Sequence, residues 1–182
     1  MRKLLIIALL LLGGCASTPK GLGPITVVDE LSMEQYDGEW YVIANIPYFF
    51  ERGNVMPRVV FEKRDDGRYD DLYFYRKDFD GRIKTMEGVA WVPDPAEPGR
   101  LKTRFFWPFT FDYLVIKLDA QYQHVAIAHP SRDYGWIMAR EPQMDESTYQ
   151  QYLQAFAAQG YDTSRILKIA HQPEQVGQDG FQ

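Results

Sequence analysis

The sequence predicts an all-β fold: an eight-stranded antiparallel up-and-down β-barrel, with a C-terminal α-helix packed outside and a short final strand. Three observations carry this. Eight short β-rich runs succeed one another between Glu39 and Arg140. Hairpin-length turn signals separate them, and no long helical period intervenes. Eight is also a strand number at which such a sheet closes around one small ligand.

Taken in order, the chain opens on a targeting segment. Arg2-Lys3 is a basic start, Leu4 to Leu12 is an unbroken apolar run, and Leu12-Gly13-Gly14-Cys15 is a small-residue cleavage site ending on the only cysteine. About nine apolar residues cannot span a bilayer, which needs about twenty, so residues 1–14 read as a signal peptide. The segment resembles the lipobox of bacterial lipoproteins. That resemblance implies cleavage before Cys15, diacylglycerol on its sulfur and N-acylation, and several acyl chains hold a protein on a membrane far better than one. An ordinary secretory signal with a chance cysteine is the alternative. Ala16 follows the cysteine, not the Asp that favours inner-membrane retention, so the expected placement is the outer membrane, facing the periplasm.

Loss of Arg2 and Lys3 moves the formal charge from -5 to -7. That balance disfavours nucleic acid as a partner and offers no basic face for membrane docking. With Cys15 lipidated, no thiol is left to form a disulfide. Residues 15–30 read as the lipidated cysteine and a flexible tether, 31–173 as barrel plus helix, and 174–182 as a flexible tail.

The first strand grows from Gly38-Glu39-Trp40-Tyr41-Val42-Ile43-Ala44. Gly lets the backbone bend at the strand's mouth, and Trp supplies a large apolar plug with one N–H that needs a partner. The eight runs are Glu39–Ile46, Pro57–Lys63, Tyr69–Lys77, Arg82–Val92, Arg100–Trp107, Asp112–Leu118, Gln123–His129 and Tyr134–Arg140. Asp65-Asp66-Gly67 and Asp80-Gly81 are Asx-Gly hairpin turns, and Pro- and Asp-rich breaks divide the rest. From Asp145 or Ser147 to Gln159 the period becomes helical, with Tyr149, Tyr152, Leu153, Phe156 and Ala157 on one stripe. A one-striped helix needs a surface, and the barrel's outer wall supplies it. Ile166–Ala170 is the short last strand.

Together these residues resemble the lipocalin family from about Asp29 to Pro173. Gly38-x-Trp40 is similar to the family's first signature, Ser131-Arg132-Asp133-Tyr134 to its second, and Arg140 stands where lipocalins carry the Arg that covers the Trp. Phe50-Glu51-Arg52-Gly53, Arg64-Asp65-Asp66-Gly67, Glu87-Gly88-x-Ala90 and Pro108-Phe109 are similar to the bacterial outer-membrane lipoprotein branch, related to apolipoprotein D. The resemblance makes Gly38, Trp40, Asp133, Tyr134 and Arg140 structural signature residues. A guanidinium over a shielded indole contributes roughly 1–2 kcal/mol.

Strand alternation sets the expected cavity lining. If Trp40 points inward, so do Val42 and Ala44; if Arg140 does, so do Met138, Trp136 and Tyr134. Polarity adds Val59 and Phe61, Leu101, Thr103 and Phe105, Tyr113 and Val115, and Val125, Ile127 and His129, with Gly88 and Ala90 leaving room. Such a lining, apolar and aromatic with a few hydroxyls, favours acyl chains with a head group held at the mouth. Two carboxylates or a dense basic cluster would argue for a sugar or siderophore, and neither is evident; Asp65-Asp66 and Asp70-Asp71 flank a hairpin turn and read as solvated turn acids, not as a catalytic pair. The three histidines are scattered, so no metal is expected, and no cofactor or catalytic constellation emerges. The expectation is a carrier of a fatty acid or lysophospholipid, not an enzyme. The alternative is a barrel filled solidly by its aromatics, with Phe105-Phe106-Trp107-Pro108-Phe109 meeting an envelope partner or a second copy in a homodimer.

Overall fold

A computed structural model describes residues 21–182. Its elements are α1 (Met33–Tyr36), β1 (Gly38–Ile46), β2 (Val55–Lys63), β3 (Tyr69–Arg76), β4 (Lys84–Trp91), β5 (Arg100–Phe106), β6 (Phe109–Leu118), β7 (His124–Ala128), β8 (Gly135–Ala139), α2 (Glu146–Ala158) and β9 (Leu167–Lys168). The sheet runs β2-β3-β4-β5-β6-β7-β8-β1-β9, all antiparallel, and β1 also pairs with β2, which closes an eight-stranded barrel. The first half of β1 pairs with β2 at Gly38–Tyr41; further along, Ala44 and Asn45 pair with β9 instead. The last strand thus covers an edge of β1 that β2 leaves bare.

Two cores follow from one sheet. Inside the barrel, Trp40, Phe61, Leu101, Val115, Val125, Ile127 and Met138 pack together. Outside, Ile43, Leu114, Ala126, Ala128, Ile137 and Ala139 meet Tyr149, Tyr152 and Phe156 of α2. Alternation delivers both, since neighbouring residues of β7 and β8 point to opposite faces. The three alanines on the outer face let the helix approach closely. Asp145 caps α2, accepting from the Thr148 N–H at 3.0 Å.

Three expectations need correction. Ala44 does not face inward: β1 carries a bulge between Val42 and Ala44, so Val42 lies opposite Met138 but Ala44 opposite Ile137, in the layer under α2. One extra residue flips the parity of everything after it. The tether is not free throughout, because residues 23–28 lie on the barrel. Ile25 is 4% exposed, the Val28 N–H donates to the Val115 carbonyl at 2.9 Å, and Arg132 Nη2 donates to the Gly23 carbonyl at 2.8 Å. Nor is the tail loose: Phe181 bridges to Lys168, whose N–H donates to Gly180 O at 2.8 Å and whose carbonyl accepts from Gln182 N at 2.9 Å. Cys15 and the signal segment lie outside the described residues.

Candidate functional site

The closed end is built first. Gly38 takes φ +93°, a turn an L side chain resists, and a Cβ there would meet Arg140 Nη1 at 3.4 Å. The turn leads Trp40 into the interior with 0% exposure, and its Nε1 donates to Tyr36 O at 2.8 Å. Tyr36 comes from α1, an element the sequence did not announce because four residues show no period. Arg140 lies 3.9 Å from the Trp40 ring centre and donates to Glu39 O at 2.7 Å and to Gln35 O and Asp37 O at 2.9 Å. One guanidinium therefore satisfies the carbonyls where α1 meets β1. These residues form the floor.

Above the floor lies a cavity of about 70 Å³. Up-and-down topology places the β1–β2, β3–β4, β5–β6 and β7–β8 connections together at its open end. Val42, Val59, Thr103, Phe105, Tyr113, Trp136 and Met138 line it. Phe61, Ala90, Val115, Val125 and Ile127 are interior but pack in the barrel core without lining the cavity. Gly88 does not leave room: a Cβ there would meet the Phe105 ring at 2.8 Å, so the space is already occupied by that ring.

The rim residues scatter. His129 is not in the wall; its Nδ1 lies 2.9 Å from Ser131 Oγ and its ring meets Tyr134 edge-on. Tyr134 stays off the wall too, with its ring centre 4.0 Å from that of Tyr48. Asp133 is exposed beside Arg165, whereas Arg132, in the same turn, is 6% exposed and holds Gly23 O and Gln159 O.

The match with the family described as "Lipocalin-like domain" covers residues 31–171, the whole of this barrel and its helix. The chain is a lipocalin. Among its relatives is "Outer membrane lipoprotein Blc" of Escherichia coli (strain K12), 32% identical over 162 residues, which cover 89% of this chain and 91% of that protein. "Apolipoprotein D" of Macaca fascicularis is 30% identical over 144 residues, 75% of this chain and 71% of that one. Insecticyanin from the tobacco hornworm Manduca sexta shares the fold, with a TM-score of 0.67 at 16% identity, over 86% of this chain and 89% of that one.

This lipocalin's cavity also contains residues that sequence reasoning missed: Tyr48, Phe50, Glu51, Asp71, Tyr73, Met86, Phe106, Phe111 and Asp112. Tyr48, Phe50 and Glu51 belong to the β1–β2 connection, which folds over the mouth and obeys no strand period. Glu51 is 6% exposed and accepts from Tyr48 N at 2.8 Å and Trp136 Nε1 at 3.0 Å. Burial pushes its carboxyl up to about 7, and the charge of Asp71 adds to this. Asp71 is no solvated turn acid: it is 3% exposed, accepts from Thr103 Oγ1 at 2.6 Å, and is pushed up to about 6 by burial. The pattern Tyr69-x-Asp71-x-Tyr73 was the available signal, with the acid on the same parity as two buried tyrosines. The expectation that carboxylates are absent from the cavity therefore fails. The Tyr48 hydroxyl is buried without a partner among the described residues, and no Lys or Arg lines the cavity.

Proposed function

We propose that this lipocalin is held at the outer membrane by lipid on Cys15, faces the periplasm, and binds and stores or transports a hydrophobic ligand, a fatty acid or lysophospholipid, in envelope maintenance or stress. The observation that carries the reading is the cup of Val42, Val59, Phe105, Met138 and Trp136, which opens at an end ringed by exposed Phe49, Phe106, Trp107 and Phe109. Apolar area removed from water contributes about 25 cal/mol per Å², enough for a partly encapsulated chain to be held at micromolar affinity. The name "Outer membrane lipoprotein" carried by the Blc relatives supports the anchor, as does the lipobox.

Native mass spectrometry of protein purified from cells tests this. A co-purifying lipid of defined mass is the expected result. Protein that is clean by mass and whose Trp136 emission is unmoved by added lysophospholipid would sink the carrier role.

The small cavity favours a second reading, in which the barrel is largely filled and the rim is an interface. Phe49 and Trp107 are each 83% exposed, a large apolar surface for loops on a free-standing protein. A lipid-free dimer that dissociates on Trp107→Ala would establish that reading.

A further inference from the structure

An apolar cup has no need of a buried acid, yet Asp71 sits in its wall, and among the described residues it pairs with no cation. Uncompensated buried charge is costly and is retained only where something repays it. Thr103 Oγ1 donates to Oδ2 and fixes the carboxylate's orientation, but among the described residues no hydrogen bond reaches Oδ1. The two neighbouring acids are already engaged. Glu51 is bound on both oxygens by Tyr48 N and Trp136 Nε1, which ties the mouth loop to β8, and Asp112 pairs with Lys102 at 2.5 Å. Nearer the floor, the Tyr113 and Tyr36 hydroxyls share one hydrogen bond at 2.7 Å. Among the described residues, Asp71 is thus the one wall acid that has both a carboxylate oxygen without a hydrogen bond and no paired cation.

We propose that Asp71, set in place by Thr103, is an anchoring subsite for a primary ammonium, so that the cavity selects a single-chain amine-bearing amphiphile over a free fatty acid. This rests on the carrier role and narrows it. An ammonium offers three donors and a charge to an oriented, desolvated carboxylate, the strong form of hydrogen bond. A fatty-acid carboxylate in the same place would meet like charge. The polar group then lies deep and the alkyl chain runs outward past Met138, Phe105 and Trp136 to the exposed rim, which inverts the orientation expected from the sequence. The chain need not fit within about 70 Å³, because its far end lies on the rim aromatics. Since the Asp71 carboxyl stands at about 6, the subsite is anionic in mildly alkaline buffer.

Titrating the purified chain with dodecylamine, dodecanol and dodecanoate in such buffer, by calorimetry and Trp quenching, tests the assignment. Charge-assisted pairing predicts that dodecylamine binds about tenfold or more tighter than dodecanoate, and that Asp71→Asn removes about tenfold of that affinity while strengthening dodecanoate. Dodecanol, which reports chain burial alone, binds both proteins equally. Thr103→Val, which unfixes the carboxylate, weakens the amine several-fold and serves if Asp71→Asn does not fold. Equal or tighter binding of dodecanoate by the native chain, or an amine affinity unmoved by both substitutions, overturns the subsite and leaves the carrier role standing. If none of the three ligands binds, the carrier role falls as well.

Discussion

At the scale of single residues, Arg140 and Asp71 behave in opposite ways. Arg140 is an exposed-looking strand end whose guanidinium is consumed by Trp40 and by the backbone carbonyls of Gln35, Tyr36, Asp37 and Glu39. Removing it strands acceptors at a partly buried junction. Arg140→Ala should therefore cost about 2–4 kcal/mol in urea unfolding, and Arg140→Lys more than half of that, since an ammonium cannot fork to several carbonyls. Asp71 stores its effect in protonation. Its folded value of about 6, against an ordinary 3.8, and that of Glu51, about 7 against 4.5, mean that the folded chain holds protons the unfolded chain has released. The stability they confer is complete below the ordinary carboxylate range and is lost as pH rises through about 6 and 7. His129 and His171, both lowered by burial, act in the other direction and lose stability as pH falls below the imidazole range. Comparing variants isolates the acid. Between about pH 5 and pH 8 the wild-type melting temperature should fall relative to that of Asp71→Asn, by an amount equivalent to on the order of 2 kcal/mol. Parallel melting curves across that range would refute it.

At the scale of elements, the bulge in β1 decides what touches what. Without it, Ala44 would share the cavity with Val42; with it, Ala44 lies among Ile137 and the other residues under α2. Ala44→Leu should then overpack the helix interface at a cost of about 1–3 kcal/mol while leaving ligand affinity within about twofold of native. A cavity-facing Ala44 would give the reverse, a stable protein with altered binding. The chain ends act as straps. Arg132, at φ +61°, joins the N-terminal segment through Gly23 O to the end of α2 through Gln159 O. The C-terminal residues extend the sheet beyond β9. Both are hydrogen-bonded backbone where composition reads only as punctuation.

At the scale of the molecule, the barrel is polarised along its axis. The recognisable residues, Gly38, Trp40 and Arg140, are all at the closed end. The residues that line the cavity are toward the other end, drawn from strands and from the β1–β2 connection. Substitutions at the floor should therefore change stability with little change in ligand preference, whereas substitutions at Asp71 or Trp136 should change ligand preference.

The sequence by itself determined the barrel, its eight strands and the helix outside it, and the family resemblance implied the Trp40–Arg140 closure. The strands and helix depend on patterns of period two and 3.6 and on turn chemistry, all of which are local. In β2 and β5 an alternating strand has only two choices, and Arg58, Glu62, Lys102 and Arg104 argue against one of them; β7 and β8 carry no such charge, so their parity rests on apolar spacing and on Arg140. Tertiary structure alone decided the rest. A bulge is a mismatch between two strands and leaves no mark in either one, so the facing of Ala44 could not be read from β1. The mouth loop brings Glu51 onto Trp136 because the barrel's radius places them together, not because of any spacing in the chain. Asp71 looked solvated beside a turn of acids; only closure of the sheet around it reveals a carboxylate whose water has been taken away.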